Sequence, residues 1–206
     1  MVKKLSTQET LDQHDAAVDA FVEVAQRFDA EQWALPACGD WTALQTLHHC
    51  LGVIGWYHAW LDRALEGETS KPFDAADIDE HTAASVRDNA DVTAEAALAR
   101  FAELGHIYTA RVGEHPDITY AYPYGVVTPA LHLRVAAAEW HLHAWDLSTA
   151  VGPLHEPEAP DRLMIGAGEV AAANAGGIGG FFIRRAVPRN AVFNAWPKLL
   201  ARTGRG

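Results

Sequence analysis

The sequence predicts an all-α fold, and three observations support this prediction. Apolar residues recur at helical spacing in several long stretches of the chain. Residues that commonly cap helices stand just before these stretches. No stretch shows convincing strand alternation. We therefore expect a bundle of helices.

The first two helices are predicted in the N-terminal third of the chain. Residues 5–29 form an amphipathic pattern that begins near Ser6. A second helix is predicted from Asp40 or Thr42 to about Glu66. This helix is apolar almost all round, which is typical of a helix in the middle of a bundle.

A long polar connection separates the first pair of helices from the second. Residues 67–92 are acidic and predict a long crossover with a short helix around Glu80–Asn89. The third helix is predicted over 94–114. The fourth starts at Thr128-Pro129, where proline suits the first turn, and ends near Gly152-Pro153.

Three tyrosines lie between the third and fourth helices, at positions 120, 122 and 124. Such residues on a loop beside a cavity would form a pocket rim. A surface hairpin without a chemical role is the alternative.

The C-terminal segment predicts a helical extension. Residues 160–174 suggest a short helix, Ala175–Gly180 breaks it, and Trp196–Ala201 suggests a last turn or two. The glycine-rich run follows no strand, so a hinge is favoured over a phosphate cradle. Three arginines could contact a carboxylate or could be solvated, namely Arg184, Arg185 and Arg189. We divide the chain into a bundle, residues 1–155, and an extension packed on it, residues 156–206.

Composition and charge indicate the class of partner and the compartment. Sixteen Lys and Arg stand against twenty-seven Asp and Glu, giving a net charge of −11. This balance predicts no nucleic-acid and no membrane partner, and instead a small-molecule substrate. The N-terminus lacks the apolar core of a signal peptide. Cys38 and Cys50 form no CxxC motif, which fits a reducing cytoplasm.

A possible metal site lies on the fourth helix. Glu139 and His143 are four residues apart, so their side chains share one helix face. The second helix carries His48 and His49, between which periodicity does not decide. Two histidines and one glutamate form a common ligand set of catalytic zinc sites. His132 is a rival ligand.

A site without metal explains the same residues differently. Glu139 would then pair with Arg134 or another basic residue, and His143 would be a hydrogen-bonded core histidine.

Three ordered motifs resemble those of a known family: Trp41-Thr42 followed by His49, then Glu139-x-x-x-His143-x-Trp145-Asp146-Leu147, then Trp196-Pro197-Lys198-Leu199-Leu200-Ala201-Arg202-Thr203-Gly204-Arg205. They are similar to the DinB-like superfamily, and within it to the N-terminal domain of mycothiol-dependent maleylpyruvate isomerase. The resemblance implies a four-helix bundle in which His49, Glu139 and His143 bind a divalent metal. It also favours His49 over His48. Asp146 would either orient a ligand imidazole or act as a cap or surface ion-pair residue.

The resemblance further implies a metal-dependent transferase or isomerase that acts on a small electrophile through a thiolate, with mycothiol as a possible cosubstrate. Zinc is the expected metal, and nickel, iron and manganese are compatible with these ligands. Only about fifty residues follow the fourth helix, so maleylpyruvate itself is not favoured as substrate.

Two alternatives stay open at this stage. One is a hydrolase that uses metal-bound hydroxide. The other is a non-enzymatic stress or binding protein that the metal stabilises and that could form a homodimer. The second alternative would be favoured by a site closed with a fourth ligand, for which the candidates are His48, His58, His106 and His132.

Overall fold

The structure, a computed structural model, describes residues 5–160, residue 163 and residues 195–205. Its elements in chain order are α1 (Thr7–Ala25), β1 (Pro36–Cys38), β2 (Trp41–Thr42), α2 (Ala43–Leu65), α3 (Ile78–Arg87), α4 (Ala94–Glu114), β3 (Tyr120–Tyr122), β4 (Gly125–Val127), α5 (Pro129–Val151) and α6 (Ala195–Arg202). The strands form two short antiparallel hairpins, β1–β2 and β3–β4. The predicted all-α fold is confirmed.

Several sequence-based expectations fall on residues outside this description. Most of the helix predicted over 160–174 lies there, as do the glycine-rich run Ala175–Gly180 and the arginines Arg184, Arg185 and Arg189. The domain division at residue 155 and membership of the DinB-like superfamily stay predictions.

The helices begin where short polar side chains can satisfy the free backbone N–H groups of a first turn. The hydroxyl of Thr42 accepts from the backbone N–H of Gln45, and the Gln45 side chain accepts from the N–H of Thr42. Thr93 caps α4, and Thr128 caps α5 with Pro129 in its first turn. These caps fix the register in which α2 and α5 present their side chains.

Four long helices, α1, α2, α4 and α5, form the bundle around an aromatic core. α1 packs on α4 and α5, whereas α2 packs on α4, α5 and α3. At the centre the Phe101 ring lies 4.7 Å from that of Phe21 and 5.1 Å from that of Trp140. From α6, Trp196 and Leu199 are buried in the same core.

The helices α2 and α5 run antiparallel to each other. The ring of His49, early in α2, lies 5.3 Å from that of His143, late in α5. The ring of Tyr57, later in α2, lies 4.5 Å from that of His132, early in α5. Side chains from the two helices therefore face each other along several turns.

Among the described residues, no helix combines the length and the apolar character that a bilayer-spanning segment requires.

The backbones of α2 and α3 approach closely at Gly52. A Cβ placed at this residue would lie 2.5 Å from Cβ and 3.0 Å from Cα of Ser85, so no larger residue fits without moving α3. Three residues along the same helix, a Cβ at Gly55 would meet nothing within 4 Å. The two glycines thus form a matched pair for testing the packing.

We expect Gly52→Ala to lower the free energy of unfolding by about 1–3 kcal/mol, because the added methyl overpacks the contact with α3. Gly55→Ala should instead raise it by up to about 1 kcal/mol, because alanine favours the helix and has room there. Urea denaturation of both variants measures the difference. Equal effects of the two substitutions would contradict the close approach of α2 and α3.

Candidate functional site

A cavity of about 530 Å³ lies between α2 and α5. His49, Glu139 and His143 line one end of it, and aromatic side chains that include Trp60 and Tyr122 line the remainder. Residues of α3 and of the β3–β4 hairpin contribute further parts of its wall. Tyr122 and Tyr124 lie on a hairpin, as one interpretation of their segment expected, and they also line the pocket, as the other expected.

His49 makes no hydrogen bond through its Nε2 to any of the described residues. Its Nδ1 lies 3.0 Å from Oγ of Ser85, and that hydroxyl donates its only proton to the carbonyl oxygen of Thr82 over 2.6 Å. Nδ1 must therefore carry the proton that it donates to Ser85. Burial, with a contribution from nearby His143, lowers the pKa of His49 to about 3. The imidazole is neutral, and its Nε2 carries the lone pair that a metal requires.

His143 is oriented in the same way by a carboxylate. Its Nδ1 lies 3.0 Å from Oδ2 of Asp146, which can only accept while ionised. Arg205 holds this carboxylate from the other side, with Nε 2.6 Å from Oδ1 and Nη2 2.7 Å from Oδ2. Nδ1 of His143 is therefore the donor, and in the neutral form of the ring the lone pair lies on Nε2. The ligand-orienting role considered for Asp146 agrees with this geometry.

The ionised state of Asp146 follows from its partners. Burial alone raises the pKa of this carboxyl, but hydrogen bonds from His143 and Arg205 outweigh burial and lower the pKa to about 2. The Asp146 side chain is only 2% exposed, so the Arg205 guanidinium is the cation that compensates its charge.

Glu139 lies beside these histidines and accepts a hydrogen bond from the hydroxyl of Tyr57. Burial raises the pKa of Glu139, and the bond from Tyr57 opposes this effect only in part. Burial and the adjacent Glu139 raise the pKa of Tyr57 as well, so its hydroxyl keeps its proton and remains a donor. Arg134, considered as a partner of Glu139, donates to Thr10 and to the Leu5 carbonyl.

The structure thus brings His49, Glu139 and His143 to one end of one pocket. The rings of the two histidines are 5.3 Å apart and edge-to-face. That the three residues bind a metal stays a prediction.

A second group of possible ligands is tighter in space but chemically unsuitable. Within the described part of the chain, Cys38, His143 and Asp146 form the one group of three with ligand atoms all within 4.8 Å of one another. In the predicted set of His49, Glu139 and His143, at least two ligand atoms therefore lie more than 4.8 Å apart.

The Cys38 group already surrounds a protein cation. Nη2 of Arg205 lies 3.7 Å from Sγ of Cys38 and bonds to Asp146. Burial, followed by the charge of Asp146, raises the pKa of the Cys38 thiol to about 12. The thiol holds its proton, and the guanidinium takes the place that a metal would need.

The rival histidines have other partners or other positions. Nε2 of His48 lies 2.8 Å from the carbonyl oxygen of Val92, and Nε2 of His58 lies 3.0 Å from that of Leu104. His106 pairs with two exposed aspartates, Asp15 and Asp19. His132 contacts aromatic rings rather than His49 or His143. None of these four side chains closes the site.

Apart from Asp146, the residues that orient the site had no role assigned from the sequence. Ser85 lies in the polar crossover, 36 residues from His49, and only the α2–α3 contact reveals its role. Tyr57 has the helical spacing of a core aromatic. Arg205 stands within the C-terminal motif of the family resemblance, which indicated neither its position beside Asp146 nor its role.

No protein-family model matches the chain, and no curated protein matches it. Among solved structures, the chain is similar to the crystal structure of the colibactin self-resistance protein ClbS in complex with a dsDNA. The TM-score is 0.62 with 14% sequence identity, over 75% of this chain and 100% of the ClbS chain. The likeness shows a shared fold.

This comparison corrects the expectation about partners. The exclusion of nucleic acid in favour of a small-molecule substrate is wrong, because it rested on the net charge of −11, and ClbS has this fold in a complex with dsDNA. Net charge averages over a whole surface and does not report the local field at a binding face.

The buried carboxylate of Asp146 makes stability depend on pH. Its folded-state pKa lies below its ordinary value of 3.8, so its contribution is present above about pH 4 and is lost as pH falls through about 2. Asp146→Asn should therefore lower the free energy of unfolding near neutral pH by about 2 kcal/mol or more, and this deficit should shrink below about pH 4.

Urea unfolding of wild type and variant, near neutral pH and near pH 3, measures this gap. Asp62→Asn is the control, since Asp62 is 58% exposed beside Arg111 and should change stability by under about 1 kcal/mol. A gap for Asp146→Asn that does not change with pH would contradict the ionised pair.

Proposed function

We propose that His49, His143 and Glu139 bind one divalent metal, through Nε2 of each imidazole and the carboxylate. The observation that supports this is the orientation of both rings, which donate from Nδ1 to Ser85 and to Asp146 and so keep their Nε2 lone pairs for the pocket. Such outer partners are the usual companions of metal-binding histidines. Zinc suits these ligands, and nickel, iron and manganese are compatible with them.

The function we infer is that of a transferase or isomerase that uses a low-molecular-weight thiol, such as mycothiol, on an electrophilic group. A bound divalent cation lowers the pKa of a thiol or water that reaches it. Ser85 and Asp146 hold the two rings, and Tyr57 orients Glu139. Aromatic side chains such as Tyr57 and Trp60 provide apolar walls beside these groups.

The properties of the two cysteine thiols support the use of a thiol from a separate molecule. Cys38 keeps its proton beside Asp146, and Cys50 is fully buried with a raised pKa. Neither can supply a thiolate to the pocket near neutral pH. Both cysteines are free, which supports a reducing cytoplasmic location.

The position of the site beside an open pocket also supports catalysis over a purely structural metal. Three of the four histidines that could have closed the site, His48, His58 and His106, bind other groups, and the ring of His132 packs on aromatic rings of the same pocket. We also propose that the chain is DinB-like, because His49, Glu139 and His143 occur in motifs that resemble those of that superfamily.

Removal of any one of the three ligands should abolish metal binding and thiol transfer. We expect wild type to retain about one equivalent of zinc after dialysis and His49→Ala, Glu139→Ala and His143→Ala to retain little. Metal analysis by mass spectrometry measures this. With mycothiol present, wild type should consume thiol with monochlorobimane or isomerise maleylpyruvate, a reaction that regenerates the thiol. Both activities should be lost on chelation of the metal and fall by at least about 100-fold in the variants.

His48→Ala is the matched control, because His48 is adjacent in sequence yet bonds to Val92 outside the pocket. It should keep both metal and activity. If wild type retains zinc but neither consumes thiol with monochlorobimane nor isomerises maleylpyruvate, the proposed transferase or isomerase activity fails and the metal site stands. If the ligand variants retain zinc, the metal site itself is refuted.

A second candidate function is binding of double-stranded DNA, favoured by the shared fold with ClbS. In that case the electrophilic or reactive group would be carried by the DNA. The acidic chain would need to bind through a locally basic face, because phosphate contacts supply most of the non-specific affinity.

We expect a fluorescently labelled duplex to gain anisotropy as the protein is added, with weaker binding as salt increases. A labelled acidic oligopeptide is the control for non-specific association. No change in duplex anisotropy up to about 100 μM protein at low salt would reject this candidate.

A further inference from the structure

The end of the pocket remote from His49 is built from aromatic rings around His132. The His132 ring lies 4.5 Å from that of Tyr57, 5.8 Å from that of Trp60 and 5.3 Å from that of Tyr122. All four side chains line the cavity. Flat aromatic groups are favoured by such walls, since aromatic rings prefer offset-stacked or edge-to-face contacts.

His132 differs from the other pocket histidines in its hydrogen bonding. It is only 2% exposed, and its Nδ1 has no hydrogen-bond partner among the described residues. Burial lowers the pKa of His132 to about 3, so the ring is neutral, with one N–H group and one lone pair. A buried polar atom left without a partner is destabilising. The His132 side chain lines the pocket, so a group that enters beside it comes close to the imidazole.

The position of His132 relates it to the proposed metal site. It lies seven residues before Glu139 on the same face of α5, which corresponds to roughly 10 Å along the helix. A molecule with a ring beside His132 could therefore reach Glu139, His49 and His143 with a substituent. The cavity volume of about 530 Å³ is enough for both parts.

We propose that the aromatic end of the pocket binds a flat aromatic ring that carries an O–H or N–H group, and that His132 forms a hydrogen bond with this group. This end of the pocket would hold the substrate of the proposed function. Only the reaction of the bound molecule rests on that function, because ring binding itself needs no metal. The ring can belong to a free molecule or to a base extruded from a duplex.

Phenol and toluene are suitable probes, because phenol carries a hydroxyl group where toluene carries a methyl group. Their binding to the full-length protein is measured by calorimetry after removal of metal with a chelator. The preference for phenol over toluene should fall at least about fivefold in His132→Phe, which keeps the ring shape and removes both nitrogens. His132→Asn, with a polar group near the position of Nδ1, should keep most of the preference.

His58→Phe is the matched control, since His58 lies outside the pocket and bonds to Leu104. It should leave the preference unchanged. Thermal unfolding checks that each variant is folded, and if His132→Phe is not, the comparison of wild type with His132→Asn decides. An unchanged preference in His132→Phe, a complete loss of it in a folded His132→Asn, or no binding of either probe to wild type would overturn the proposal. Because metal is absent, these outcomes are separate from any failure of the metal site.

The source of the ring is distinguished by competition against bound phenol. Deoxyadenosine is compared with a duplex that contains one unpaired adenosine and with the fully paired duplex. Displacement by the free nucleoside alone indicates a free molecule. Stronger displacement by the duplex with the unpaired base indicates a base in DNA. The comparison of phenol with toluene decides the proposal itself.

Discussion

The candidate site depends on two hydrogen bonds made at Nδ1, one by His49 to Ser85 and one by His143 to Asp146. Each partner can only accept at that contact, because the Ser85 hydroxyl donates to Thr82 and the Asp146 carboxylate has no proton to give. Both imidazoles are thereby fixed in one tautomer. In the neutral rings the remaining nitrogens are Lewis bases beside a shared pocket, which is the property that the proposed metal site requires.

The rest of the fold serves this constraint through helix packing and charge. Gly52 allows α3 to approach α2 closely enough for Ser85 to reach His49. The C-terminal Arg205 compensates the buried charge of Asp146 and fills the space beside Cys38. The tightest cluster of possible ligands is therefore occupied by an internal ion pair, and the looser arrangement around Glu139 faces the cavity. Distance alone would have selected the Cys38 group instead.

Much of the fold could be predicted from the sequence because it depends on local signals. Thr42, Thr93 and Thr128-Pro129 cap the helices that their patterns predict. The choice between His48 and His49 could not be made from periodicity, because α2 is apolar on nearly all sides. Contacts between remote segments, such as those of Ser85 and Arg205, leave no periodic signal. The preference for a small molecule over nucleic acid failed because net charge carries no positional information.

The central claim is that two neutral imidazoles and one carboxylate share a cation at this end of the pocket. Anomalous diffraction at the zinc edge, from crystals of the zinc-loaded protein, tests it most directly. The account predicts one peak within about 2.0–2.2 Å of Nε2 of His49, Nε2 of His143 and a carboxylate oxygen of Glu139. A peak bound instead by Cys38 and Asp146 with Arg205 displaced, or bonds to Nδ1 of either histidine, would contradict it.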